Sequence, residues 1–252
     1  MNIELSILLS LFALSVGSFV NSFIYRYPLI NRTDLNLFKP RSFCPKCMNQ
    51  LKISMLFPIF SYIYLKGKCS FCKEKIDTLY LVNEIAHLFI MLMILVSMPI
   101  GISSIIIFII FSILYTQMIL DYKYFLLSIS LNAILIVLGL TLNYGFNYFV
   151  SFYESIIGLV SGYSILWVIN TLFYLVRKKE GIGGGDFLLF AGCGSLFGFI
   201  SLGPILLIGS SISLLIFAIK KETSETKIPL GTGLALGAII YFLLIKFFSI
   251  LQ

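Results

Sequence analysis

The chain has 252 residues, of which 59% are hydrophobic and 12% are charged, and its formal net charge is +7. Soluble domains carry about 25% charged residues. With a mean hydropathy of +1.02, this composition excludes an ordinary soluble protein and predicts an all-α polytopic membrane protein.

About 20 mostly apolar residues are needed for one membrane-spanning helix, and about eight stretches of the chain meet this requirement. The first lacks a preceding basic region and a small-residue cleavage site, so we interpret it as a retained helix. Residues 1–24 then form the first transmembrane helix, 25–78 a polar insert, and 79–252 a membrane-embedded part of about seven helices. The predicted spans are 4–24, 79–98, 101–120, 125–143, 153–176, 186–202, 203–219 and 230–250, with Gly203-Pro204 between the sixth and the seventh.

Basic residues indicate the orientation of these spans. The insert contains ten of the 18 lysines and arginines and only three acidic residues, which gives it a net charge of +7. Because lysine and arginine favour cytoplasmic loops, the insert is predicted to face the cytoplasm and both termini to lie outside. Its charge also suits contact with anionic lipid. A nucleic-acid partner is not expected, because aromatic and basic residues do not alternate at a recognisable spacing.

Four cysteines of the insert form two C-x2-C pairs, "CPKC" (Cys44, Cys47) and "CSFC" (Cys69, Cys72), with 21 residues between the pairs. This spacing is typical of a tetrahedral zinc site. Disulfides are the weaker alternative in a reducing cytoplasm. Four thiolates leave no open coordination position for water, so a structural zinc is expected rather than a catalytic one.

Two aspartates are predicted at the cytoplasmic ends of spans, Asp121 at the end of the third and Asp186 at the start of the sixth. Charged residues in membrane helices are costly and suggest function. Two adjacent carboxylates can share one proton and activate water, as in aspartic proteases. The alternative is that each simply anchors a helix end at the interface.

Glycines precede the second aspartate in "GIGGGD" (181–186). Four glycines predict an extended or sharply turned segment, in which Gly183 and Gly185 leave room for a substrate backbone. A flexible linker is one alternative. A nucleotide-binding loop is another, but "GIGGGD" has neither the complete dinucleotide fingerprint nor the P-loop lysine.

Other polar residues lie near the predicted cytoplasmic interface. Asn21, Arg26 and Glu84 are candidates for a polar cluster that contacts substrate or methyl donor, with Arg26 paired to Glu84. His87 is expected to be packed or hydrogen-bonded, and Cys193 to be a packing residue. Glycines four residues apart predict close helix packing, at Gly158, Gly162, Gly233 and Gly237.

Several segments together resemble the type IV prepilin peptidases, also called leader peptidases/N-methyltransferases, especially their competence-type members. The resemblance runs nearly end to end. The matching segments are "GSFVNSFIYRYP" (17–28), "FCPKC" with "PIFSYIYLKGKCSFC", "LVNE" ending at Glu84, "GGGD" (183–186) and "IPLGTGLALGA" (228–238).

This resemblance implies an intramembrane aspartic endopeptidase of the bacterial cytoplasmic membrane, with Asp121 and Asp186 as its catalytic residues. Its substrates would be type IV prepilins or pseudopilins, cleaved on the cytoplasmic side behind a short basic leader. S-adenosylmethionine would then methylate the new N-terminus. The chain departs from the family pattern at Ser128-Ile129, at Leu188 and around Leu79-Tyr80.

A non-enzymatic scaffold or a transporter subunit with a zinc-bearing cytoplasmic domain is the competing interpretation. A transporter is expected to show inverted repeats or more polar residues deep within its spans, and the sequence shows neither.

Overall fold

The computed structural model describes residues 3–30, 36–37, 39–219 and 228–251, with side chains in the last helix described as far as residue 244. These parts of the chain are helical and contain no β-strand. The α-helices are α1 (Ile3–Arg26), α2 (Phe60–Tyr64), α3 (Thr78–Ser97), α4 (Ile102–Tyr124), α5 (Ile129–Phe146), α6 (Phe152–Arg177), α7 (Gly184–Phe197), α8 (Phe199–Ile219) and α9 (Leu230–Leu251).

Six of these helices are long and apolar enough to cross a membrane, namely α1, α3, α4, α5, α6 and α8. Two shorter apolar helices are Gly184–Phe197 and Leu230–Leu244, the latter counted over its described side chains. The prediction of an all-α polytopic membrane protein is thus confirmed. At 1.5 Å per residue α7 extends about 21 Å, which is less than the thickness of about 30 Å of the hydrocarbon core. The helix is also shorter than the predicted sixth span, 186–202.

The break between α7 and α8 lies at Gly198 and not at the predicted Gly203-Pro204. Gly198 has φ +78°, a conformation that glycine adopts without the steric cost paid by other residues. Pro204 lies inside α8. There its ring removes one backbone hydrogen bond without ending the helix.

Two compact units make up the chain, Met1–Ser112 and Ile113–Gln252. In the first unit α1 packs closely on α3, since a Cβ atom added at Gly17 would lie 2.9 Å from the Cα of Glu84. His87 is fully buried, with Nδ1 2.7 Å from the carbonyl oxygen of Asn83 and its ring edge-on to Phe108. The expectation of a packed, hydrogen-bonded histidine is confirmed.

Glycine contacts bring helices of the second unit together. Gly158 of α6 meets Gly194 of α7 backbone to backbone, and Gly209 of α8 meets Gly233 of α9 in the same way. Gly162 and Gly237 also face backbone atoms of neighbouring helices. Close packing at the four predicted glycines is confirmed, and Cys193 is fully buried as expected. The predicted loop at 220–227 lies outside the described residues.

Candidate active site and metal centre

Asp121 lies in the last turn of α4 and binds the start of α9. Its Oδ2 accepts hydrogen bonds from the backbone amide of Thr232 at 2.6 Å and from the Thr232 hydroxyl at 2.9 Å. The first amides of a helix lack partners within the helix and attract negative charge. The N-terminus of α9 therefore holds Asp121 in place.

Asp186 lies in the first turn of α7, directly after the glycine run. Gly183 is the N-cap residue, and its backbone amide provides a hydrogen bond to the Asp186 carboxylate. The preceding loop is tied to α6, because Oδ1 of Asn170 accepts from the amides of Gly181 and Ile182, both at 2.9 Å. The sequence predicted an extended or turned segment over 181–186. In the structure α7 already begins at Gly184, so the non-helical part of this segment is shorter than predicted.

The two aspartates interact electrostatically although they lie 65 positions apart in the sequence. Oδ1 of Asp186 is buried and has no hydrogen-bond partner among the described residues. Interacting carboxylates are not both charged at low cost, so the pair is suited to sharing one proton. The arrangement offers an anchored carboxylate beside a buried carboxyl oxygen that has no hydrogen-bond partner among the described residues.

Leu127, in the connection between α4 and α5, lies between the starts of α7 and α9. A Cβ atom added at Gly185 would lie 2.8 Å from the Cβ of Leu127, and one at Gly231 would lie 2.8 Å from Cδ1 of the same residue. The added atom at Gly231 would also lie 3.1 Å from Cγ of Asp121. Both glycines are thus required for close approach, and Leu127 sets the spacing of the two helix starts that hold the aspartates.

Buried amides hold the connection that carries Leu127. Gln117 donates to the carbonyl oxygen of Ser128 at 2.8 Å and also to Oδ1 of Asn132, and it accepts from the Ser128 amide at 2.9 Å. Asn132 then donates to the carbonyl oxygen of Gly185 at 3.0 Å. The network joins α4, α5 and the start of α7. Ser128 also caps α5 through its side chain, so one of the departures from the family pattern has a clear structural role.

Cys44, Cys47, Cys69 and Cys72 form a second candidate site, in the first unit. Their sulfur atoms all lie within 4.8 Å of one another, and those of Cys44 and Cys72 are 3.9 Å apart. A tetrahedral zinc ion with Zn–S bonds of about 2.3 Å places its sulfur ligands about 3.8 Å apart. The donor set and the spacing both fit a metal ion bound by four thiolates.

Two equivalent backbone turns present these cysteines. In each turn the amide four residues after the first cysteine donates to that cysteine's carbonyl oxygen, from Met48 at 2.8 Å and from Lys73 at 3.0 Å. Met48 and Lys73 both have φ near +60°. Burial raises the pKa of the Cys69 thiol, but hydrogen bonds from the amides of Cys72 and Phe71 outweigh burial and lower the pKa to about 7. The turn thus favours the thiolate of Cys69, which is the metal-binding form. At Cys72 a hydrogen bond to the backbone of Glu74 lowers the pKa, but burial and the neighbouring thiols outweigh it and raise the pKa to about 11.

The polar residues predicted near the interface in the first unit are held by different partners from those expected. Arg26 does not pair with Glu84: its guanidinium donates to the carbonyl oxygens of Asn36, Leu37 and Pro40. Glu84 instead accepts from the amide of Ile59 at 2.7 Å. The predicted ion pair is therefore wrong, because the insert folds back and supplies backbone groups to both side chains.

Asn21 lies on α1, and its hydrogen bonds reach α3, a helix that is distant in the sequence but adjacent in the structure. It accepts from the side chain of Asn83 at 2.6 Å and donates to the carbonyl oxygen of Tyr80 at 2.9 Å. Its hydrogen bonds thus join α1 to the first turns of α3.

Sequence reasoning missed five residues that shape the aspartate site. Gln117, Asn132 and Asn170 are amides inside apolar stretches, a signal that could have identified them. Thr232 and Leu127 carried no comparable signal. Their importance depends on contacts with residues distant in the sequence.

Comparisons with known proteins give consistent matches that together cover nearly the whole chain. Residues 11–98 match the bacterial peptidase A24 N-terminal domain, and residues 106–219 match the type IV leader peptidase family. Three similar proteins are each named prepilin leader peptidase/N-methyltransferase. The protein from Legionella pneumophila is 32% identical over 93% of this chain and 89% of its own length. That from Stutzerimonas stutzeri is 34% identical over 89% and 85%, and that from Neisseria gonorrhoeae is 32% identical over 93% and 89%. No solved structure matches the chain significantly.

Proposed function

The chain belongs to the prepilin leader peptidase/N-methyltransferase family, and from this premise we propose that it cleaves the basic leader from type IV prepilins or pseudopilins with Asp121 and Asp186. One observation carries the assignment of residues. Two acidic side chains from different helices interact. One is anchored, and the other has a buried oxygen without a hydrogen-bond partner in the described part of the chain.

The anchoring of Asp121 suggests how the roles divide. Two donors from Thr232 stabilise the anion, so the proton of the pair resides on Asp186. Asp121 then accepts a proton from water as the water attacks the scissile carbonyl carbon, while Asp186 donates its proton to the carbonyl oxygen. When the tetrahedral intermediate collapses, Asp121 returns its proton to the leaving amine and Asp186 is reprotonated. No covalent acyl-enzyme forms.

Orientation follows from the basic residues. We propose that residues 25–78 form a domain on the cytoplasmic side of the bacterial plasma membrane, that 79–252 form the membrane-embedded catalytic part, and that both termini lie outside. The four cysteines would hold a structural zinc ion in the cytoplasmic domain. The leader is then cleaved on the side on which prepilins are synthesised, and S-adenosylmethionine supplies the methyl group for the new N-terminus.

Substitution of Thr232 tests the anchoring of Asp121. Thr232→Val removes one hydrogen bond to a charged group, a loss of about 1.5–3 kcal/mol. We expect kcat to fall about 10- to 100-fold with little change in KM, measured with purified prepilin. Thr232→Ser keeps the hydroxyl and should retain most of the activity. Equal kcat for the valine and serine variants would show that the hydroxyl has no positioning role.

The two glycines before Asp186 should differ in their tolerance of a methyl group. Gly185→Ala places a Cβ atom 2.8 Å from that of Leu127, so the loop must shift and cleavage should fall about tenfold or more. Gly184→Ala meets nothing within 4 Å and removes a helix-destabilising glycine. Its cleavage rate should match that of the wild type, and its unfolding midpoint should be equal or higher. Equal sensitivity at both positions would contradict the proposed role of Leu127.

The competing proposal, a scaffold or transporter subunit, predicts full tolerance of changes at Asp186 and no cleavage. Incubation of the membrane-embedded protein with a prepilin, followed by mass measurement of the products, separates the two proposals. An unchanged prepilin mass would refute the peptidase assignment.

A further inference from the structure

Part of the insert exposes several large apolar side chains. They lie within a stretch of twelve residues and are between 59% and 86% exposed in the described part of the chain, namely Ile53, Phe57, Phe60, Ile63 and Tyr64. We call these five residues the apolar patch. Exposed apolar side chains that are grouped rather than scattered mark a site of contact with another protein or with a membrane. The patch belongs to neither of the two sites described above.

The short helix α2 separates this exposed surface from the interior of the first unit. Phe60, Ile63 and Tyr64 are three and four residues apart, so they share one side of the helix. Ser61 and Tyr62, on the other side, line a cavity inside the first unit. The exposed side of α2 therefore points away from the cavity and out of the first unit.

A hydrogen bond holds the patch at a defined height along α3. The backbone amide of Ile59 donates to Oε2 of Glu84 at 2.7 Å, and Ile59 lies between Phe57 and Phe60 in the sequence. Ile59 has φ +61°, which β-branched residues rarely adopt. Such a conformation persists only where the surrounding structure imposes it. The contact with α3 is thus a specific feature of the folded insert.

The contact lies near one end of a membrane-spanning helix. α3 has 20 residues, about 30 Å at 1.5 Å per residue, which matches the thickness of the hydrocarbon core. Glu84 follows Thr78 by six positions and lies about 9 Å from the end of the helix. Segments that bind a bilayer surface bury their apolar side about 5–10 Å into the boundary between headgroups and acyl chains. The patch is therefore held at a depth at which it meets lipid.

Positive charge flanks the patch on both sides. Residues 48–73 contain four lysines and no acidic residue. Three of these lysines are exposed and lie next to the patch in the sequence, namely Lys52, Lys66 and Lys68. Such charge suits the phosphate groups of anionic lipids. It repels both the basic leader proposed for the substrate and the same surface of a second copy, so an anionic bilayer surface is the favoured partner.

We propose that residues 52–68 form an interfacial anchor, which inserts the apolar patch into the leaflet next to the start of α3 and places its lysines against anionic lipid phosphates. The anchor holds the insert, with its four clustered cysteines, against the bilayer. This inference goes beyond the proposed peptidase function and does not depend on it, because all the residues concerned lie in the first unit.

Quenching by brominated lipid tests the depth of the patch. Trp167 is the only tryptophan of the chain, so Trp167→Phe removes the background emission and Phe60→Trp adds one reporter. The full-length protein is reconstituted in vesicles of phosphatidylcholine and phosphatidylglycerol with bromine on the acyl chains close to the glycerol. We expect about half or more of the emission to be quenched, because a ring at this boundary touches the bromine. Tyr64→Trp repeats the measurement at the most exposed patch position.

Phe71→Trp in the same background is the matched control. Phe71 is also an exposed aromatic residue of the insert, but it lies on the second cysteine turn and outside the patch. Less than about a fifth of its emission should be quenched, because only the patch enters the boundary region. Equal quenching at Phe60→Trp and Phe71→Trp, or none at Phe60→Trp and Tyr64→Trp, would overturn the proposal.

A comparison of two lipids tests the role of the lysines. Bromine is placed either on the phosphatidylglycerol or on an equal amount of the phosphatidylcholine, and we expect about twofold stronger quenching of Phe60→Trp by the anionic lipid. A triple variant should abolish this preference, namely Lys52→Gln, Lys66→Gln and Lys68→Gln. A control triple variant changes three exposed basic residues after α6 and should keep the preference, namely Arg177→Gln, Lys178→Gln and Lys179→Gln.

Other partners give different results in the same vesicles. Equal quenching by both lipids, or an unchanged preference in the patch triple variant, would refute the contact with anionic lipid. Emission that is insensitive to brominated lipid but shifts when prepilin is added would assign the surface to the substrate instead. Each of these results leaves the peptidase assignment intact, because none of the measurements uses leader cleavage.

Discussion

Replacement of Asp121 or Asp186 by asparagine is expected to lower the rate of prepilin cleavage by at least about 100-fold. Asparagine has nearly the same shape as aspartate but neither accepts nor donates the catalytic proton, and positioned acids and bases contribute about 10²- to 10⁴-fold. Because the two carboxylates act as a unit, the double variant should be no slower than the slower single variant. Release of the leader from a purified prepilin measures the effect.

Glu180→Gln provides the matched control for these substitutions. Glu180 is an exposed acidic residue six positions before Asp186, at the other end of the same glycine-rich connection. Its neutralisation should leave the cleavage rate unchanged, which separates a specific requirement for the two aspartates from a general effect of charge. Full processing by either single aspartate variant would refute the catalytic pair.

Loss of one cysteine ligand should remove the metal and unfold the local structure. Cys44→Ser and Cys69→Ser each break one of the two turns, and structural zinc contributes about 10–16 kcal/mol in zinc-finger peptides. We expect one zinc per wild-type chain, less than about a tenth of that in either variant, and rapid trypsin cleavage between Arg41 and Lys75. Metal analysis and limited proteolysis provide the readouts.

Cys193→Ser is the control for the cysteine variants. Cys193 is fully buried in α7 and is not one of the four clustered cysteines, so its replacement should leave the zinc content unchanged. A wild-type protein without stoichiometric zinc, or four insert cysteines that react freely with an alkylating agent under native conditions, would contradict the metal site.

Local features of the sequence determined the membrane class, most of the helices and the chemistry of both candidate sites. Runs of apolar residues set the spans because a helix satisfies its backbone groups internally whatever its neighbours are. The short C-x2-C spacing likewise directs two thiolates to one side of a turn. The sequence also located the two aspartates at helix ends, where Asp121 and Asp186 are found.

Only the tertiary structure decided which side chains meet. Thr232 reaches Asp121 across 111 residues of sequence, and Leu127 contacts the starts of two helices that follow it. The carbonyl oxygens that replace Glu84 as partners of Arg26 become available only when the insert folds back. Periodicity and composition are local properties, whereas a hydrogen bond between helices depends on how closely they pack. In this protein that distance is set by glycines and by single buried side chains.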